Sequence, residues 1–169
     1  MVRWILLLLM FIFGAEPALA ADPVRSLKVG DILPDVPLTG LNGPSSRTSA
    51  FRGKPLIINV WASWCGPCRQ EMASLERLAW QDTGRFSVIG ISTDDYAGKA
   101  RAFLALSHAT VAHYIDVQLA LEHLLGADRL PLTVLVDADG RVLEKVYGAR
   151  VWDGEPAVAC VERRFGLAP

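Results

Sequence analysis

Apolar and polar positions change period several times along this chain, and each change marks an element. Residues 55 to 61, Pro-Leu-Ile-Ile-Asn-Val-Trp, are apolar at every position but Asn59. Such a run suits a strand buried on both faces of a sheet. From Pro67 to about Trp80 the period becomes helical, with Met72, Leu75, Leu78 and Ala79 in one sector and Pro67 in a first turn. Residues 86 to 92 predict a second buried strand. Residues 94 to 107 predict a helix after an acidic start, 109 to 116 a short strand, and 117 to 127 a helix closed by Gly126. Residues 131 to 137 and 141 to 148 read as two strands joined by a tight turn containing Asp139-Gly140. A last helix, from about Glu155 to Phe165, carries Ala157, Val158, Val161 and Phe165 on one side. Upstream, Asn42-Gly43 between two short runs predicts a small hairpin.

Strands alternating with helices and ending in a hairpin predict an α/β fold, a mixed central sheet with helices on both faces. The 169 residues, 51% hydrophobic, are enough for one core and one domain. The first twenty stand apart. Arg3 precedes an unbroken apolar run over residues 4 to 13, which ends at Gly14-Ala15-Glu16-Pro17, and Ala18-Leu19-Ala20 supplies the small residues of a cleavage site. The run is short for a membrane span, so residues 1–20 are expected to be an export signal removed before Ala21, with an uncleaved anchor as the alternative. The mature domain is then 21–169, and its net charge of −1 is that of the whole chain. So near-neutral a balance gives no ground for a nucleic-acid partner.

Export changes how cysteines are read, because thiols pair in oxidising compartments. The chain has Cys65, Cys68 and Cys160. Structural zinc would need four ligands, and His108, His113 and His123 do not stand at ligand spacing, so no metal is expected. A disulfide across three residues closes too short a loop to stabilise much. A redox pair in Cys65-Gly66-Pro67-Cys68 is the strong reading, with no other cofactor. At a helix start the macrodipole and free N–H groups favour a thiolate, so Cys65 should attack and Cys68, a turn further in, should resolve. At about 100° per residue, Glu71 falls with Cys68, Met72, Leu75 and Leu78, while Arg69, Gln70, Ser74 and Arg77 fall opposite. Two readings of Glu71 follow: a buried carboxyl whose raised pKa lets it take the proton of Cys68, or a surface residue reaching out from the stripe's edge. Cys160 reads as a small core hydrophobe, and Asp94-Asp95 as a helix-starting pair.

"WASWCGPC" followed by Glu71-Met72, together with "LPLTVLVDADG", resembles the thioredoxin superfamily, and within it the exported TlpA/ResA-like thiol-disulfide oxidoreductases. The resemblance runs from the hairpin to the last helix. It implies a thioredoxin fold with an N-terminal β-hairpin extension and a cis peptide bond at Pro131 beside the cysteines. It further implies that Leu130 offers its backbone to an extended substrate segment, with Pro131, Trp64, Gly66 and Pro67 completing the binding surface. Glu71 matches the family's buried glutamate. Three features depart from relatives: Asn59 stands where cytosolic thioredoxins carry a buried aspartate, Ala73 replaces a proline common after Glu-Met, and Gly66-Pro67 is the dipeptide of general thioredoxins.

The function so implied is a periplasmic, monomeric oxidoreductase that reduces disulfides of exported clients. Cysteines of cytochrome c or copper sites are the expected targets, and a membrane-embedded thiol donor would restore the dithiol. Gly-Pro points to the reducing end of the scale, near the roughly −270 mV of thioredoxin. The alternative is a metallochaperone-like module whose two thiolates hold Cu(I) for oxidase assembly. A peroxide-reducing redoxin fits poorly, because Ala62 rather than Thr or Ser stands three residues before Cys65.

Overall fold

The computed structural model describes residues 25–81 and 84–167, so the proposed export signal at 1–20 lies outside the described residues. Seven strands form one mixed sheet: β1 (Pro37–Gly40), β2 (Ser46–Arg47), β3 (Leu56–Trp61), β4 (Ser87–Ser92), β5 (Ala112–Ile115), β6 (Leu132–Val136) and β7 (Val142–Tyr147). Among the described residues four α-helices accompany them: α1 (Gly66–Gln81), α2 (Ala97–Leu106), α3 (Ala120–Leu125) and α4 (Glu155–Phe165). The sheet order is β2-β1-β5-β4-β3-β6-β7. The β3–β4 and β4–β5 pairs are parallel, and the remaining pairs are antiparallel. The predicted hairpin is β1–β2, and its first strand extends the sheet by pairing Thr39 with Ile115 of β5.

β3 lies at the heart of the sheet, and all six of its residues are buried. Its alternation divides the core. Ile58 and Val60 point to one face, where Leu121, Leu124 and Leu125 of α3 join Leu33 and Leu38. Ile57 points to the other, where α1 and α4 supply Leu75, Leu78 and Val161. Trp61, further along that face, packs with Cys65, Cys68 and Met72 and with Ala100 and Leu104 of α2. Helices therefore cover both faces, as the sequence predicts. α1 continues through Ala73 to Gln81 without interruption. α3 is shorter than its pattern, because the Asp116 carboxylate accepts from the N–H groups of Ala120 and Glu122 and starts the helix there. Gly126, at φ +69°, closes it.

One row across the sheet fixes the site's surroundings. Register places Asn59 beside Gly90 and Thr133, and Gly90 beside His113, so all four face α1. Gly90 is required by close approach: a Cβ there would stand 2.0 Å from Nδ1 of His113 and 2.9 Å from Nε1 of Trp61. Gly90→Ala is therefore expected to destabilise the chain by about 1–3 kcal/mol, the usual cost of overpacking. Urea unfolding checks this, and unchanged stability would mean that the ring moves aside freely.

Candidate active site

β3 delivers the chain to the cysteines through Ala62, Ser63 and Trp64, and Asp94 holds that loop. Its carboxylate accepts from Ser63 N–H at 2.9 Å and from the Ser63 hydroxyl at 2.6 Å, with Ser92 Oγ at 2.8 Å. Asp94 is wholly buried, and α2 begins at Ala97 after Tyr96 with no side-chain cap. The reading of Asp94 as a helix starter is thus corrected: buried donors from the neighbouring loop draw the carboxylate inward.

Cys65 and Cys68 are joined by a disulfide, with Cα atoms 5.3 Å apart. Cys68, inside α1, is 0% exposed and Cys65, just before it, 5%. The outer sulfur accepts a hydrogen bond from Cys68 N–H at 3.2 Å. When the pair is reduced, that donor and the helix terminus both favour a thiolate on Cys65. Gly66 and Pro67 are exposed beside it. Trp64 is 70% exposed, so it forms a surface next to the disulfide and is not a core residue. The Leu130-Pro131 bond is cis. Leu130 packs against the apolar cluster that contains both cysteines, while Pro131 is buried and its carbonyl accepts from Gly148 N–H.

Glu71 lies one turn beyond Cys68 on the same buried face and is 2% exposed, which removes the surface reading. Its Oε1 accepts from Asn59 Nδ2 at 2.8 Å; its Oε2 accepts from Arg150 N–H at 3.0 Å and from Trp152 Nε1 at 3.1 Å. Burial raises the carboxyl above the ordinary range, and the bonds from Arg150, Asn59 and Trp152 offset that only in part. The result is a buried carboxyl, one turn along α1 from Cys68, that holds a proton more tightly than an ordinary carboxylate.

Ser74 is also buried, although helical phase sets it opposite the stripe. Its hydroxyl donates to the Glu71 carbonyl at 2.7 Å and accepts from Trp152 N–H at 3.1 Å. The loop between β7 and α4, with Arg150 and Trp152, comes down onto that side of α1 and covers it. Asn59, Thr133, Arg150 and Trp152 are the polar partners sequence reasoning did not assemble. Asn59 alone gave a signal, as the one polar residue in the central strand. Cys160 is partly buried on α4, away from the disulfide, in a groove with Val151, Pro156 and Ala157. Among the described residues, no group of three or more His, Cys, Asp or Glu is arranged to hold a metal ion.

A disulfide at the start of the helix that follows the central strand, with a cis proline before β6, defines a thiol-disulfide oxidoreductase of thioredoxin fold. The chain belongs to the Redoxin family, which it matches over residues 28–159. It is 33% identical over 132 residues to the thiol:disulfide interchange protein DsbE of Vibrio cholerae, covering 75% of this chain and 70% of that one. It is 29% identical over 125 residues to the thiol-disulfide oxidoreductase ResA of Geobacillus thermodenitrificans, covering 73% and 71%. Among solved structures, a Chlorobium tepidum chain described as a thiol:disulfide interchange protein DsbE superposes with a TM-score of 0.73 at 29% identity, covering 82% of this chain and 96% of that one.

Proposed function

We propose that this oxidoreductase works in the periplasm as a monomer, reducing disulfides in exported proteins, with cysteines of cytochrome c or copper sites as its clients. The observation that carries this reading is the asymmetry of the disulfide: Cys65 at the rim beside exposed Trp64, Cys68 fully buried beside Glu71. In the reduced chain the Cys65 thiolate attacks a client disulfide, forming a mixed disulfide and releasing one client thiolate. Glu71 takes the proton of Cys68, whose thiolate then attacks the Cys65 sulfur. The second client thiol leaves, taking up a proton. Two electrons have passed to the client, and the chain is left with the Cys65–Cys68 disulfide. A membrane-embedded dithiol donor restores it, and no cofactor beyond the cysteine pair takes part. Export rests on residues 1–20; among the described residues no helix is long and apolar enough to cross a membrane.

Cys68→Ser, expressed with its leader, is expected to capture exported proteins as mixed disulfides on Cys65, identified by mass spectrometry after thiol blocking. Failure to capture any, together with tight Cu(I) binding by the reduced parent, would replace this reading with copper delivery.

A further inference from the structure

Beneath α1 lies a small cavity of about 10 Å³, lined by Asn59, Met72, Leu75, Glu76, Gly90 and His113 among others. That is room for one water molecule. Two of its lining residues each carry a buried side-chain atom without a hydrogen-bond partner: Oδ1 of Asn59 and Nε2 of His113. Both residues are 2% exposed. Buried polar atoms left unpaired are costly, and two beside one water-sized space point to a shared partner.

The hydrogen bonds determine what each atom offers. Trp61 Nε1–H is only a donor and lies 3.1 Å from Nδ1 of His113, so Nδ1 accepts and the ring proton sits on Nε2. Nε2 is 3.8 Å from Oε1 of Glu76, too long for a direct hydrogen bond and suited to a bridge. On the other side, Asn59 Nδ2 is committed to Glu71 Oε1 at 2.8 Å and Thr133 Oγ1 at 3.0 Å, which leaves Oδ1 as an acceptor.

We propose that this cavity holds a structural water that accepts from His113 Nε2–H and donates to Asn59 Oδ1 and the Glu76 carboxylate, locking the Asn59 amide with its N–H₂ toward Glu71. His113 is then a positioning residue acting through Asn59, fixed in its tautomer by Trp61. Without the imidazole donor the amide is free to turn, and Oδ1 would face the Glu71 carboxyl and favour its protonated form. The groups around Glu71 and the cavity are Cys68 and Glu76 from α1, Arg150 through its backbone, and His113 from β5. The consequence for catalysis rests on Glu71 as proton acceptor; the amide orientation does not.

The test follows Glu71 protonation by infrared spectroscopy in the full chain, with Glu71→Gln to assign the carboxyl band. His113→Phe is expected to raise the proton affinity of Glu71 by about tenfold, and His113→Gln, which keeps an N–H for the cavity, to restore the parent value. An unchanged midpoint in His113→Phe would overturn the inference, even if Glu71→Gln slows client release. A shifted midpoint with unaltered release in Glu71→Gln would keep it and remove the catalytic role instead. Should His113→Phe fail to fold, NMR of the parent decides: a protected His113 Nε2–H in contact with a long-lived water supports the bridge, and a proton on Nδ1 excludes it.

Discussion

Cys65→Ser is expected to abolish disulfide reduction, and Cys68→Ser to complete one attack and then stop as a mixed disulfide. Steady-state turnover should fall by roughly 10⁴-fold or more in either variant, the scale seen when a covalent nucleophile is lost. The two differ in a single turnover. Cys65 sits at the rim, receives the Cys68 N–H on its sulfur and precedes the first turn of α1, whereas Cys68 has no exposed surface. A client sulfur can therefore reach the first cysteine and not the second. Quenched-flow measurement with a fluorescent disulfide substrate should show a stoichiometric burst for Cys68→Ser and none for Cys65→Ser. A burst from Cys65→Ser would reverse the assigned roles.

Much of this arrangement was legible in the sequence, and the misses share one cause. Continuous and periodic apolar runs located β3, α1, β4, the β6–β7 hairpin and α4, because burial on a strand or helix leaves a local imprint. The same periodicity placed Glu71 on the face of Cys68. It could not say what meets Glu71 there, because Arg150 and Trp152 arrive from 79 and 81 residues away through the β7–α4 loop. Ser74 is buried for that reason as well: the loop covers a side of α1 that phase alone assigns to solvent. Asp94 misled because its acidic character fits a helix start equally well, and only the spatial neighbourhood of Ser63 distinguishes the two. His113 carries no signal in the sequence beyond its lack of a partner at ligand spacing, because its neighbours Gly90 and Asn59 are brought into one row by register alone.

Glu71→Gln is expected to slow release of mixed disulfides at neutral pH by about 10²-fold, within the usual range for loss of a general base. The inner thiol must lose a proton before it attacks Cys65, and an amide cannot accept one. As pH rises further the thiolate forms increasingly without help, so variant and parent should approach each other at alkaline pH. Stability should follow the opposite logic. Because burial raises the Glu71 pKa in the folded chain, the folded state holds this proton more tightly than the unfolded state. The stability that protonation contributes is present below the ordinary carboxylate value and declines as pH rises to the folded value. Gln does not titrate, so the stability of the variant minus that of the parent should rise with pH across that window and then level off. The Gln carbonyl can accept from Arg150 and Trp152 as Oε2 does, but its N–H₂ would meet the N–H₂ of Asn59 unless that amide turns over. Paired urea titrations from acid to neutral pH, beside stopped-flow release rates, separate the two effects. Release rates equal to the parent at neutral pH would remove Glu71 from the proton path, leaving its bonds to Asn59, Arg150 and Trp152 as a purely structural clamp.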